Sequence, residues 1–194
     1  MTRIPARRLY APTVLLTLAA GGAGFFASSR AWTSTKVEAN GLPTDAIDIT
    51  GTQAEPMLGA LALVIVTAAI AILAAGTRVR RWVGILIVVA ALVGLVLALT
   101  ADPSTSSALS AAIQDSPAYT GKNAPDVFDS TWWQAATVFT FAVAAFLGTI
   151  TAVYGPRWPT MGSRYDAPNK AKVVVVEDDS DIWKAMDAGE DPTL

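Results

Sequence analysis

Residues 57–101 read MLGALALVIVTAAIAILAAGTRVRRWVGILIVVAALVGLVLALTA, which is two apolar runs joined by a short basic stretch. The runs, residues 57–76 and 82–101, are each about 20 residues long, enough for a helix to cross a hydrocarbon core of about 30 Å. The joining residues 77–81 include three arginines: Arg78, Arg80 and Arg81. Basic residues keep short loops in the cytoplasm. The stretch therefore predicts a transmembrane hairpin whose turn, residues 77–81, is cytoplasmic.

Two further apolar runs, residues 10–29 and 131–154, extend this hairpin to four predicted helices. The first run follows a basic N-terminus and also fits a cleavable signal peptide, an alternative that the sequence leaves open. The second has Trp132 and Trp133 at one end and Tyr154 at the other, as expected of aromatic belts at the two faces of a bilayer. The predicted fold class is an all-α membrane protein, a bundle of four transmembrane helices.

The chain divides accordingly into nine segments, and both termini are expected in the cytoplasm of a multi-pass protein of the cell membrane. In order they are the cytoplasmic N-terminus (1–9), a helix (10–29), an outer loop (30–56), a helix (57–76), the cytoplasmic turn (77–81), a helix (82–101), a second outer loop (102–130), a helix (131–154) and a flexible cytoplasmic tail (155–194). Eleven of the fourteen basic residues fall in the cytoplasmic segments, as the positive-inside rule requires.

The composition excludes several kinds of chemistry. Charged residues make up 15% of the chain and the net charge is −2, which argues against nucleic-acid binding because that needs a basic surface. The chain has no Cys and no His, so the usual zinc and haem ligands and every His-based triad are missing. The acidic residues of the outer loops match no calcium-loop pattern. We therefore predict a non-enzymatic protein with no cofactor and no metal site.

The apolar runs also bear on transport. They contain no Asp, Glu, Lys, Arg or Asn, although ion-coupled transporters and proton relays place ionisable groups at this depth despite the cost of inserting them. Threonine is the main polar residue in the runs, and its hydroxyl can bond back to a carbonyl of its own helix. A transporter that acts alone is therefore not favoured.

Both outer loops carry signs of secondary structure. In the first, residues 32–37 and 46–50 alternate in polarity around an Asn-Gly turn signal, so we predict a small β-hairpin. A lone hairpin is marginal and needs cover from the bilayer surface, the second outer loop or a partner. The second loop predicts a short amphipathic helix that ends near Gln114. Trp32 is expected at the membrane interface, either as an anchor or as a partner-binding residue.

Two stripes of small residues predict close packing between helices. The first helix carries Ala20, Gly24 and Ser28, and the fourth carries Ala144, Gly148 and Ala152. For the first stripe, chance spacing in an Ala- and Gly-rich helix is the alternative. We predict that the second stripe packs within the bundle, against the first helix, and a partner site is the alternative. The arginines of the turn are interpreted as topology determinants that contact lipid phosphates: Arg78, Arg80 and Arg81.

The tail begins basic and ends acidic. Near its end, an aspartate can cap a short helix that extends to about Ala188, with Ile182, Trp183 and Met186 as its apolar residues. A helix of two turns is unstable alone in water. The tail therefore predicts either a recognition peptide that orders on a partner, with these three residues as the partner-binding ones, or a disordered end.

Several stretches, in this order, resemble the tryptophan-operon-associated integral membrane protein family of actinobacteria. They are residues 28–32 (SSRAW), Gly51 with Pro56, Arg80 and Arg81 with Gly84, residues 158–161 (WPTM), residues 163–165 (SRY) and residues 181–193 (DIWKAMDAGEDPT). The resemblance covers nearly the whole chain, and its last stretch is the most specific. It implies about four helices, no established activity and no catalytic residue. The family name reflects nearby tryptophan-synthesis genes.

Three functional hypotheses follow from these observations. The leading one is a non-enzymatic accessory or assembly subunit of a larger membrane complex, with the lipid bilayer and membrane proteins as partners. A respiratory-chain complex is one such partner, although no sequence feature prefers it. The alternative is a component of transport of an aromatic amino acid or related metabolite, linked to tryptophan metabolism. The third, a lipid- or envelope-modifying enzyme, requires a catalytic carboxylate in an outer loop, and no pair of residues stands out for that role.

Overall fold

Four helices in the part of the chain that the structure describes are long and apolar enough to cross a membrane. The structure, a computed structural model, describes residues 6–38, 44–125 and 127–158. The four helices are α1 (Ala6–Ser28), α3 (Met57–Ala74), α4 (Thr77–Thr100) and α6 (Trp133–Tyr154). The predicted bundle of four helices is therefore confirmed. Most of the predicted tail lies outside the described residues.

The link between α3 and α4 is shorter than predicted. Residues 77–81, expected as a turn, form the first turns of α4, and only Ala75 and Gly76 separate the two helices. Gly76 is the N-cap of α4, and its carbonyl accepts the N–H of Arg80 at 3.0 Å. Helical geometry at this point matters for the arginines, because it turns the three side chains in different directions around the axis.

The helices pack in the cyclic order α1, α3, α4, α6, each against its two neighbours, and the α4–α6 pair is the most extensive. Branched and aromatic side chains fill the interior, and some are fully buried. The buried set includes Leu58, Ile65, Ile72, Ile87 and Phe141. In lipid the interior gains little from the hydrophobic effect, so close contact between helices must supply the stability.

Small residues provide that close contact between α4 and α6. A Cβ placed on Gly148 would lie 2.8 Å from the Ile87 side chain of α4, and one on Gly84 would overlap the backbone nitrogen of Ala152. Gly148 and Ala152 of the small stripe therefore face α4, and not α1 as predicted. Gly84, which has no glycine partner at the spacing of a dimerisation motif, is the complementary residue on α4.

The small stripe of α1 has two neighbours. Ala20, Gly24 and Ser28 are all buried. A Cβ on Gly24 would lie 3.1 Å from the Thr140 hydroxyl of α6, whereas one on Gly21 would lie 2.9 Å from the Val66 side chain of α3. This edge of α1 thus fits into the groove between α3 and α6.

The loops at one end of the bundle fold together into a small domain, here called the cap and comprising residues 31–38, 44–56, 102–125 and 127–131. Its hairpin pairs β1 (Ala31–Val37) with β2 (Asp45–Thr50), and Thr35 lies opposite Ile47. The predicted hairpin is confirmed, while its turn lies outside the described residues. A third strand, β3 (Asp129–Ser130), pairs with the other side of β1, giving the order β2–β1–β3.

The cap has a core of its own. Two short helices, α2 (Gly51–Ala54) and α5 (Ser107–Asp115), flank the sheet, and the Ser106 hydroxyl caps α5 by accepting the N–H of Leu109 at 3.2 Å. The core consists of five buried side chains: Val37, Ile47, Ile49, Leu109 and Ala118. Of the three predicted covers for the hairpin, the second loop is therefore the one that provides this core.

Candidate functional site

Trp32 joins the cap to the bundle from inside. Its side chain is 1% exposed, and its indole N–H donates to the carbonyl of Ala27, at the end of α1, at 3.2 Å. Gly51 faces the ring so closely that a Cβ there would overlap it. An interior position does not fit the predicted roles of Trp32 as an interface anchor or a partner-binding residue. The amphipathic indole has both apolar surroundings and a hydrogen-bond acceptor inside the fold.

Further hydrogen bonds join the two outer loops to each other and α6 to the end of α4. The Thr131 hydroxyl donates to the carbonyl of Ala31 at 2.6 Å, and its backbone N–H donates to the carbonyl of Trp32 at 2.9 Å. Gln134, on the first turn of α6, donates from Nε2 to the carbonyls of Ala98 and Ala101 at 3.1 Å and 2.9 Å. These bonds satisfy carbonyls at the end of α4 that have no partner within the helix. Both loops are thereby held at the same end of the bundle.

An open cleft of about 520 Å³ lies on the cap, beside the edge of β1. The Thr35 hydroxyl donates to the carbonyl of Val127 at 2.8 Å on one side of it. On the other side, the Asn123 amide donates to the carbonyls of Glu38 and Ala118 at 2.8 Å and 2.7 Å. Exposed charges of both signs line the cleft: Lys36, Glu38 and Asp129. This opening, together with the residues that line it, is here called the cap cleft.

The acidic residues of the cap do not converge. Among the described residues, no group of three or more Asp and Glu side chains is placed to hold a metal ion. Asp102 has a local role instead, because its carboxylate accepts the hydroxyl and the backbone N–H of Ser104. These hydrogen bonds, the hydroxyl first, lower the pKa of Asp102 below its ordinary value of 3.8. The carboxylate starts the turn that follows α4.

Three buried threonines inside the bundle donate to carbonyls of their own helices. The hydroxyls of Thr17, Thr137 and Thr151 each donate to the carbonyl four residues earlier, at 2.7 Å, 3.0 Å and 3.0 Å. Within the described spans, these hydroxyls therefore form no polar path from one end to the other. A groove of about 250 Å³ between α1 and α3 is lined entirely by apolar surface, from Tyr10 to Leu18 and from Ala69 to Leu73.

Arg80 closes the end of the bundle opposite the cap, here called the arginine end. Its side chain is 2% exposed, and it donates from Nε to the carbonyl of Ile72 and from Nη1 to the carbonyl of Trp158, both at 3.3 Å. The guanidinium also lies over the Tyr10 ring, 5.1 Å from its centroid. Arg80 therefore joins four segments of the chain, and its predicted role in contacting lipid is corrected.

The neighbouring arginines of α4 differ from Arg80. Arg78 and Arg81 are exposed, and their predicted roles in topology and lipid contact stay predictions. Only Arg80 faces the C-terminal carbonyls of α3, which lack helical donors of their own. Because α4 begins at Thr77, the rotation of its residues about the helix axis decides which arginine faces the bundle. A count of basic residues does not show which one that is.

Trp158 is the structural residue that the sequence reading missed at the arginine end. It is 2% exposed and packs edge-on against Tyr10, with 5.3 Å between the ring centroids. Among the described residues, its indole nitrogen is buried without a hydrogen-bond partner. The only signal in the sequence was its place in a stretch that resembles a known family. The predicted partner-binding residues of the tail lie outside the described residues: Ile182, Trp183 and Met186.

Comparison with known proteins fixes the family. A sequence model of the tryptophan-associated transmembrane protein family matches residues 14–193. The chain belongs to this family. The match runs from within α1 through the last stretch of the tail, so the resemblance expected from the sequence motifs is confirmed. No curated protein and no solved structure matches the sequence. For this tryptophan-associated transmembrane protein, membership establishes the membrane class and gives no indication of catalysis.

Proposed function

We propose that this tryptophan-associated transmembrane protein is a non-enzymatic accessory or assembly subunit of a larger membrane complex, which it contacts through the cap cleft. One observation carries the proposal: a folded cap with an open, charged cleft is fixed to a bundle whose buried threonines bond back to their own helices. A protein built this way offers a surface for recognition, and within the described spans these threonine hydroxyls offer a solute no polar path.

The cap is suited to present such a surface. Its own core orders the sheet. Trp32 donates to the end of α1, and the Thr131 hydroxyl accepts the backbone N–H of Trp133 at the start of α6. The backbone and side chains that line the cleft are therefore ordered before a partner binds, which reduces the conformational entropy lost on binding. Lys36 on β1 and Glu38 just beyond its end both line the cleft and carry opposite charges, so they favour a partner segment with complementary charges.

The proposed orientation places the cap outside the cell and both termini in the cytoplasm. The two exposed arginines of α4 are at the arginine end, and positive charge near membrane helices is retained in the cytoplasm. The tail, with its predicted recognition residues near Trp183, would then supply a second contact on the cytoplasmic side. A respiratory-chain complex is a membrane assembly against which this proposal can be tested.

A photo-crosslinking amino acid at position 36 tests the proposal in native membranes. We expect one discrete adduct with a membrane protein that also co-purifies in a fixed ratio in mild detergent. The same probe at Ser110, which is exposed on α5 of the same cap, is the matched control and should give no adduct. Equal labelling from both positions, together with purification as a monomer without a partner, would show that the cleft is not a docking site.

The second candidate is a component of transport linked to tryptophan metabolism. The family description favours it, and the self-bonded threonines of the spans favour a subunit of a transporter over the carrier itself. The test is tryptophan uptake and export in cells that lack or overproduce the protein. Fluxes that stay unchanged in both strains would exclude this function and leave the assembly role untouched.

A further inference from the structure

Arg30, just beyond the end of α1, stands on a group of aromatic rings at the cap end of the bundle. Its guanidinium carbon is 4.2 Å from the centroid of Phe26 and 5.9 Å from that of Trp133. The Trp133 ring meets Phe26 edge-on at 5.8 Å and stacks on Trp132 at 4.1 Å. We propose that Arg30 and Trp132 form a binding site for the phosphate of an anionic phospholipid in the membrane leaflet on the cap side.

The depth of this group fits the proposal. The membrane-spanning part of α1 ends at Ser28, and that of α6 begins at Trp133. Arg30 therefore lies within two residues of the apolar boundary, where lipid phosphates lie and where tryptophan is enriched. Phe26 and Trp132 are themselves exposed, at 47% and 65%, so that lipid can reach the group from the side.

The geometry leaves the guanidinium ready to bind. Arginine stacks on aromatic faces through its plane while the N–H groups at its edge remain available for a bidentate contact with phosphate. Among the described residues, the two rings are the contacts that the structure gives to the Arg30 guanidinium. Stacking thus fixes the orientation of the cation without using its donors. The exposed indole of Trp132 adds one more N–H on the same ring stack.

Arg80 shows what a purely structural arginine looks like in this protein. It also lies over an aromatic ring, but it is buried and donates to two backbone carbonyls. Arg30 is exposed and has the ring contacts instead. Among the described residues no carboxylate belongs to its cluster, and Asp129, the acid nearest to Trp132 in the sequence, lines the cap cleft. The site is therefore net positive, which favours an anionic lipid such as phosphatidylglycerol over the zwitterionic phosphatidylcholine.

Native mass spectrometry of the full chain in mild detergent, titrated with each lipid, tests the site. We expect one retained phosphatidylglycerol at a concentration about tenfold below that needed for phosphatidylcholine, and Arg30→Gln should remove this preference. Arg30→Lys keeps the charge but cannot stack or bind in a bidentate way, so it should weaken retention about threefold. Trp132→Phe keeps the stack and loses the N–H, so a smaller loss is expected.

Two controls separate the site from general charge effects. Lys122→Gln removes the same charge from an exposed position of the cap and should leave retention unchanged. Inorganic phosphate at about 10 mM, far below the local concentration of lipid phosphate, should not displace the lipid. Retention by Arg30→Gln equal to that of the wild type, or an equal loss with Lys122→Gln, would overturn the proposal. Displacement by free phosphate would show that the ligand is a soluble anion and refute the lipid assignment.

Discussion

The two ends of the bundle are closed in opposite ways. At the arginine end, two residues link α3 to α4, and one buried cation gathers the carbonyls of Ile72 and Trp158. At the cap end, two long loops build a sheet, two short helices and a separate core. One end depends on a single charged side chain and close helix contacts, whereas the other depends on many ordinary apolar contacts.

This difference separates the part of the molecule that stabilises the whole fold from the part that carries the proposed recognition surface. The contacts of the arginine end lie within the helix bundle, so a change there should affect the whole molecule. The cap has a core of its own, joined to the bundle mainly by Trp32 and a few hydrogen bonds, so a change in that core should stay local. Local stability can vary in this way within a single chain.

The largest effect is expected from Gly84→Val. The new side chain would meet the backbone of Ala152, and backbone cannot move aside without separating α4 from α6. We expect a loss of about 3 kcal/mol in the free energy of unfolding, measured by denaturation in mixed detergent micelles. Gly22→Val, at a glycine with open space around it, is the control. Equal stability of the two variants would contradict close packing between α4 and α6.

Leu109→Ala should have the next largest effect, confined to the cap. Leu109 is 2% exposed within the cap core, and removal of such a side chain costs about 2 to 4 kcal/mol. Amide hydrogen exchange should rise in the sheet and α5 while protection of the four spans stays the same. Faster exchange throughout the spans would show that the cap and the bundle unfold together.

Arg80→Met should weaken the arginine end. The variant keeps most of the side-chain volume but leaves two buried carbonyls without their donor, at a cost of about 2 kcal/mol. Arg81→Met, at an exposed neighbouring arginine, should change stability very little. The thermal midpoints of both variants in the same detergent give the comparison. A larger fall in the thermal midpoint with Arg81→Met than with Arg80→Met would show that Arg80 is not the arginine that stabilises this end.

Asp102→Asn should have the smallest effect, which is a change in how stability depends on pH. Because the pKa of Asp102 is lowered by Ser104, the carboxylate stabilises the fold above its ordinary pKa and loses that contribution as the pH falls through the lowered value. The variant cannot titrate at this position, so its thermal midpoint should fall less steeply than that of the wild type as the pH falls below 3.8, the ordinary pKa. Parallel curves would rule out this contribution.

The sequence was sufficient for everything that depends on local composition. Twenty apolar residues without a charge define a span wherever they occur, and alternation around an Asn-Gly pair predicts a hairpin. The spacing of Gly148 and Ala152 likewise identifies a face suited to close packing. It does not name the helix opposite, because Gly84 is far away in the sequence and acquires its role only in the folded bundle.

The parts that could not be predicted are non-local for the same reason. β3 has two residues, too few to show a pattern, and it exists only because β1 offers an edge. Trp32 suits a membrane interface as well as an interior, and the glycine that makes room for it is Gly51, on the far side of the hairpin. In the basic turn, three arginines look alike until the helix phase selects Arg80.

The hydrogen bond between Arg80 and Trp158 joins residues 78 positions apart in the sequence, and this separation determines when during synthesis it can form. The ribosome synthesises α3 and α4 well before α6. The Arg80 guanidinium therefore lacks the Trp158 carbonyl until the second outer loop and the last span have been made. Until then, a charged group at a helix junction lacks part of its solvation by the protein. The hydrogen bond from Arg80 to Trp158 can therefore form only once all four membrane-spanning helices have been synthesised.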